Sequence, residues 1–425
     1  MKRNNLIVLL VFLVFFVISL ITNIIGPLVP DIIQSFSLSL TLVAFLPFAF
    51  FIAYGVMSIP AGMLVEKFGE KPIMTSAFGV VFGGAPLFSL LPRYSVAILS
   101  LFLLGMGIAT LQVTINPLLR VSGGEEHFAF NSVMAQLVFG GASFLSPLIY
   151  TYLVTKLKNP ATAKSPIVGW LAAVTPENTP WISLYWVFVF LALAMVLVLS
   201  VIRFPKVERK DDERAGAWET HRRLLGKRTV ILFFLAIFSY VGTEQGVANW
   251  ISQFLKVYHG CDPQTVGART VSWFWGLMTA GCLLGLLLLK LIDSRKVLFI
   301  FSLGAIASLS AAFFGGPRVP LVAFPMVGFC ISVMWSIIFS LALNSLESHH
   351  GSFSGILCTG VAGGAIVPLI IGWLGDRFGL RTGMFFLYLT LGYILGVGIW
   401  ARPIIVNETI FSRKKRHAAK AGGQA

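Results

Sequence analysis

The sequence predicts an all-α polytopic membrane protein, with twelve transmembrane helices in two six-helix repeats. Three observations carry this. Hydrophobic residues make up 57% of the 425 and charged residues only 12%, about half the charged share of a soluble domain. The apolar residues come in runs of about twenty or more, the length a helix needs to cross a bilayer's hydrocarbon core. The runs do not alternate, so the ~9–11-residue strands of a membrane barrel do not fit.

Taken in order, Lys2 and Arg3 precede an apolar run from Leu6 to about Pro30. That run is too long for a signal-peptide core and has no small-residue cleavage site, so a retained first span is expected. Further spans are expected near 41–64, 71–91, 95–119, 128–154 and 181–203. After a charged stretch come 229–256, 268–291, 296–314, 320–344, 352–374 and 380–401. The expected domains are an N-terminal six-helix bundle (1–203), a charged linker (204–228), a C-terminal six-helix bundle (229–404) and a basic tail (405–425).

The net charge of +15 reads as topology, since no basic, aromatic-interleaved soluble domain is present to bind nucleic acid. If both termini are cytoplasmic, the tails, the linker and the loops on their side collect 23 Lys and Arg against 9 on the other side, which orients the chain. A bacterial chain of this kind belongs in the inner membrane. Cys282, Cys330 and Cys358 fall in spans and Cys261 in a loop, so packed or inert thiols are expected rather than a disulfide framework.

The halves repeat at an offset of 223: Gly62 falls on Gly285, Lys67 on Lys290, Gly105 on Gly328, and Gly140-Gly141-Ala142 on Gly363-Gly364-Ala365. One register linking three pairs of spans indicates parallel six-helix repeats, with a solute site near the midplane between them.

The loop Gly62-Met63-Leu64-Val65-Glu66-Lys67-Phe68-Gly69-Glu70-Lys71 resembles the loop 2–3 signature of the major facilitator superfamily, G-x-L-x-D-R-x-G-R-K. Within it the chain resembles the fucose:proton symporter family of sugar transporters, through Tyr-Val-Gly-x-Glu at 240–244 and Leu-x-x-x-x-Asn-Pro at 111–117. The stretches 334–343 and 363–368 add to the likeness. The resemblance implies a twelve-helix transporter of sugars. It also marks departures: where proton-coupled members carry an Asp in span one and a Glu in span four, this chain has Gly26 and Gln112, and Phe139 replaces a polar Asn in span five.

Glu244 lies about 22 Å into span seven, near the middle of a ~30 Å core, and no other acid falls deep within an expected span. A carboxyl there points to function, as a site that loads and releases a proton or Na⁺. A helical wheel groups it with Gln245, Asn249, Ser252 and Gln253, with Tyr240 at the edge. Gly242 and Gly246 are expected to let the helix unwind. Gln112 and Asn116 share a face of span four, and their repeat partners Trp335 and Phe339 set an aromatic wall opposite the amides. The candidate substrate-binding set is Gln112, Asn116, Gln136, Gln245, Asn249, Trp250 and Trp335, amides for hydroxyls and indoles for C–H edges. The competing role for each amide is interhelical glue. Tyr54, Trp273 and Trp275 are weaker candidates.

Gly62, Glu66, Lys67 and Gly69 form a candidate gating motif, against which stands a plain solvated loop. The pairs Gly79/Gly83, Gly281/Gly285, Gly360/Gly364 and Gly392/Gly396 are expected to pack helices closely. His349 and His350 lack further ligands at metal spacing, Asn407-Glu408-Thr409 would be a sequon on the wrong side, and Arg413–Arg416 should sit on anionic headgroups. No nucleotide-binding loop and no nucleophile–base set occurs. The expected activity is secondary transport of a small neutral solute, most simply a hexose, by alternating access. No enzyme chemistry, metal, cofactor or obligatory protein partner is expected; membrane lipids and a coupling H⁺ or Na⁺ are. The alternatives are an exporter of amphipathic or cationic compounds and a non-transporting sensor on the same fold.

Overall fold

The structure, a computed structural model, describes residues 4–124, 127–158, 165–204, 218–346 and 350–404. Among them twelve helices are long and apolar enough to cross a membrane. Spans one to six are Asn5–Phe36, Leu40–Phe68, Glu70–Leu90, Tyr94–Gly123, Phe130–Lys158 and Pro180–Val201. Spans seven to twelve are Arg228–Ala248, Pro263–Leu291, Ser294–Phe314, Pro320–Leu343, Ser352–Phe378 and Leu380–Trp400. All twelve expected spans are there, most with ends shifted by a few residues, while span one runs on to Phe36 and span seven stops at Ala248, short of the expected 256. Lys2, Arg3, Glu347, His349, residues 205–217 of the linker, the Asn407 sequon and the basic tail lie outside the described residues. Trp218–Leu225 of the linker forms a short helix.

The repeat is visible as equivalent packing. In span four Gly105 lies against the backbone of Phe50 in span two, and in span ten Gly328 lies against the backbone of Phe274 in span eight. A side chain at either position would strike a carbonyl, so only glycine allows so close an approach. Lysine and arginine repeat too. Lys71 Nζ donates to the carbonyls of Ser200 and Ile202 at the end of span six, at 3.0 and 2.8 Å. Arg295 donates at 3.3 Å to Ala401 O at the end of span twelve. Each puts a cation on a helix C-terminus, where the dipole and orphan carbonyls favour it.

Two of the four expected glycine pairs pack as expected: Gly281 meets Ser332, Gly285 Val333, Gly360 Ile237, and Gly364 both Gln245 and Phe51. The other two do not. Gly79, Gly83 and Gly392 have nothing near the side-chain direction, and Gly396 meets only Trp400 of its own helix.

Spans one and ten are broken near their middles, span eleven passes through a 3-10 turn at Gly360–Ala362, and span seven stops at a turn. Span one divides into Asn5–Thr22 and Ile25–Phe36. Beyond span seven the chain turns at Asn249–Trp250 and continues as Ile251–His259. Span ten divides after Ile331 and resumes at Met334. The expected unwinding at Gly242 and Gly246 is not found; both are helical. Gly242 instead makes room for Val367, and Gly246 for Leu387 and Ile371. The break falls where a polar residue, Asn249, ends the helix, as Asn23 does in span one.

The two half-bundles meet along three seams: span one on seven, two on eleven, and five on eight. These seams are tight from the middle to the end away from the linker, here called the far end. Toward the linker end, Asn116, Gln136, Ser336 and Ser340 are exposed. Exposed amides and hydroxyls inside membrane-length helices belong on a watered surface rather than on lipid. The molecule is therefore closed at the far end and open at the linker end.

Candidate functional site

Glu244 is partly exposed and held by its own helix. Tyr240 Oη donates to its Oε2 at 2.6 Å, and Gln245 Nε2 donates to its Oε1 at 3.1 Å. Tyr240 stands one turn away, the i, i+4 distance at which helical side chains meet. Each carboxylate oxygen thus has one donor and a further lone pair, suited to a proton, a cation or a solute hydroxyl. The Tyr240 ring lies 6.0 Å from Trp335 of span ten, which stacks on Phe339 at 5.8 Å and 21°. Spans seven and ten so bring the carboxyl and the aromatic wall together.

The amides divide into two groups. Gln112 is half-buried, and Asn116 and Gln136 are exposed, on the open side. Asn116 also donates weakly, at 3.5 Å, to Gln112 O. Gln245, Asn249 and Trp250 are buried. Gln245 is bonded to Glu244, but Asn249 Nδ2 and Trp250 Nε1 find no partner, nor do Ser252 Oγ, Gln253 Oε1 and Trp275 Nε1. Unpartnered buried polar groups are costly, and four of these five lie at or just beyond the span-seven break. Tyr54 is buried against Phe50 and Phe51. Trp273 is exposed with its edge on Phe144.

Ser336 and Ser340 were missed by the sequence reading; their i, i+4 spacing beside Trp335 and Phe339 was the available signal. Also missed was a polar knot at the break in span one. Asn23 Nδ2 donates to Ser143 Oγ at 2.8 Å, Ser143 pairs with Ser19 at 2.7 Å, and Ser19 donates to Phe139 O at 2.5 Å. Phe139, which replaces the family's polar Asn, thus takes part through its backbone carbonyl.

Among the described residues Glu244 remains the acid at mid-span, but another acid, this one buried, lies nearer the far end, past the expected end of span one. Asp31 lies within span one and is only 6% exposed, because the helix runs on to Phe36 past the point where hydropathy falls. Tyr150 Oη of span five donates to its Oδ2 at 2.5 Å, and Gln264 Nε2 of span eight to its Oδ1 at 2.9 Å. Gln264 also accepts from Lys158 Nζ at 2.5 Å, and its carbonyl accepts from Thr151 at 2.7 Å. One residue of the C-terminal half is thus held by three of the N-terminal half. Nearby, Gly26 lies on the backbone of Ala248 and Asn249, so the breaks in spans one and seven abut.

In the candidate gating motif, Gly69 has φ +83° and joins span two to span three. Glu66 and Lys67 are exposed at the linker end, with Lys67 Nζ 5.2 Å from the Phe68 ring. Among the described residues no group of His, Cys, Asp and Glu could hold a metal.

Comparison with known proteins gives this arrangement its context. Residues 11–368 match the family model of the Major Facilitator Superfamily. The chain is 29% identical over 386 residues to the glucose/galactose transporter of Brucella abortus, covering 88% of each chain. It is 26% identical over 371 residues to the L-fucose-proton symporter of Escherichia coli, covering 83% of each. Among solved structures, a bacterial homologue of the human lysosomal transporter Spinster, in an inward-facing and unoccupied conformation, superposes with a TM-score of 0.76 at 16% identity. That match covers 93% of this chain and 97% of the other.

Proposed function

The chain belongs to the Major Facilitator Superfamily, and from that premise we propose that it carries a small neutral sugar, of the hexose class, across the membrane by alternating access with a coupling cation. The carrying observation is the juxtaposition around Tyr240. It joins a mid-membrane carboxyl, Glu244, to the stacked pair Trp335 and Phe339. Sugars present hydroxyls at their rims and apolar C–H faces, and this pairing answers both. The glucose/galactose and fucose relatives support the sugar class.

On this reading Gln112, Asn116 and Gln136 meet the solute from the open side, with Trp335 as the apolar face. Gln245, Asn249 and Trp250 join as the far end opens and the unpartnered atoms of Asn249 and Trp250 come free. Glu244 binds the coupling ion, H⁺ or Na⁺. The linker end is cytoplasmic, by the excess of Lys and Arg there, so the structure is the inward-open state. Solute and cation shift the equilibrium between states only through a difference in affinity for the two.

The test is uptake into proteoliposomes with an imposed ion gradient. Glu244→Gln keeps the shape and the acceptor for Tyr240 but removes the titrating group. Concentrative uptake of hexose is expected to vanish while counterflow exchange persists in part. Full concentrative uptake by Glu244→Gln would overturn the role of Glu244. Displacement of a fluorescent cation with no response to any sugar would overturn the sugar assignment.

A further inference from the structure

The stretch Gly372-Trp373-Leu374-Gly375-Asp376-Arg377-Phe378-Gly379 repeats the pattern Gly62-Met63-Leu64-Val65-Glu66-Lys67-Phe68-Gly69, in glycine, leucine, acid, base, phenylalanine and glycine at matched places. The backbone repeats as well: Gly69 has φ +83° and ψ 168°, Gly379 φ +85° and ψ 149°. Each glycine closes one span and opens the next. The first copy ends span two at the linker end; the second ends span eleven at the far end.

The second copy crosses between the halves. Asp376 reaches across the halves onto the first turn of span two, where its Oδ1 accepts from Leu40 N at 2.8 Å. Its Oδ2 accepts from Thr41 N at 2.8 Å and from Thr41 Oγ1 at 2.5 Å. Ser39 Oγ takes the next amide, Leu42 N, at 3.2 Å. The orphan donors of that helix start are thus met partly by a carboxylate from the other half. Gly372 brings the two helices together, since a side chain there would lie 2.6 Å from Leu40 O. Its counterpart Gly62 has only Val113 of its own half, at 3.9 Å.

We propose that Asp376 is a positioning residue for transport, a clasp that caps span two from span eleven and holds the far end shut, and that the second copy of the motif exists to carry it. The clasp is made in the far-end-closed state and broken when the halves rock. It rests on the fold and on the cross-half contact, whatever solute or ion the chain carries.

The experiment measures distances in the full chain in nanodiscs, without solute, its four cysteines replaced. Spin labels sit at Leu91 and Phe314, exposed at the far end, and in a second sample at Phe68 and Leu286, exposed at the linker end. Asp376→Ala is expected to lower the far-end closed-to-open ratio by roughly two- to thirtyfold, the range of a lost N-cap, with the linker-end pair moving the opposite way. Thr41→Val, which removes one donor and keeps the shape, should move both pairs in the same directions by less, and Asp376→Glu should restore part of the wild-type distribution. If Asp376→Ala does not fold, Thr41→Val carries the test. Unchanged distributions overturn the proposal, as does a lower melting temperature without a change in distances, the signature of a purely structural cap. Because no solute is present, failure here is separate from failure of the sugar assignment.

Discussion

Gly26→Ala is the sharpest test of how the far end closes. A β-carbon at residue 26 would run into the carbonyl oxygen of Ala248, lie 3.0 Å from its carbon and lie 3.2 Å from Asn249 Cα. All three are backbone atoms, so no flexible side chain can yield, and the two helix breaks must separate. Overpacking of this kind costs about 1–3 kcal/mol, which at 1.4 kcal/mol per decade is roughly a 5- to 150-fold loss in the closed-to-open ratio. On the proposed reading the contact between Gly26 and Ala248 parts as the far end opens, so the cost falls on the closed state. The assay is the labelling rate of Gln253→Cys by a membrane-impermeant maleimide from the far side, in a Cys261→Ser background. Gln253 is 7% exposed and lies just past the break. If Gly26→Ala leaves that rate unchanged while the protein elutes and melts normally, the seam between spans one and seven does not set closure. The same contact accounts for the lack of an acid at residue 26: Asp there would face the same backbone.

Two further expectations follow from the same region. Gln264→Leu leaves Asp31 with Tyr150 as its remaining hydrogen-bond donor and removes the partner of Lys158. Losing such a charged hydrogen bond costs on the order of 1–3 kcal/mol, so labelling of Gln253→Cys should rise at least several-fold, and an unchanged rate would remove Gln264 from the gate. His259, beyond span seven, is held below the usual imidazole range by burial and then by the Arg381 guanidinium. Its unfolded form therefore binds a proton first as pH falls, and stability should drop below about pH 6.5. The melting temperature should fall between pH 7 and pH 5, and His259→Gln should flatten that slope.

What the sequence disclosed and what it hid divide along a physical line. The spans were legible because twenty apolar residues have few other uses in a chain, and the repeat because close packing reuses glycine at the same register, as Gly105 and Gly328 do. Glu244 and its donors were legible because Tyr240 and Gln245 are neighbours along one helix. Asp31 was not, because a charge ends a hydropathy run even where the helix continues, and because Tyr150 and Gln264 come from 119 and 233 residues away. Glycine spacing failed where it had two meanings. Gly242 and Gly246 serve contact with spans eleven and twelve rather than flexibility, and Gly79, Gly83 and Gly392 show the same pattern with no helix against them.

On the proposed reading, the residue that joins loading to movement is Gln245. Its amide donates to Glu244 Oε1, while its Cγ lies against Gly364 of span eleven, where Phe51 of span two also packs. A proton or metal cation arriving on Oε1 competes with that amide for the same oxygen, and a freed amide is a donor and acceptor for a sugar hydroxyl. The helix break at Asn249 comes four residues beyond Gln245, about 6 Å along the axis, and bears on Gly26. A change in how Gln245 is held therefore reaches two of the three seams without a long relay. An acid in span one or span four would sit in the other half and act on the solute from its far side. Placing the carboxyl on span seven puts ion, solute and hinge on consecutive turns of one helix. Coupling then asks of this chain only that Gln245 change partners as the far end opens.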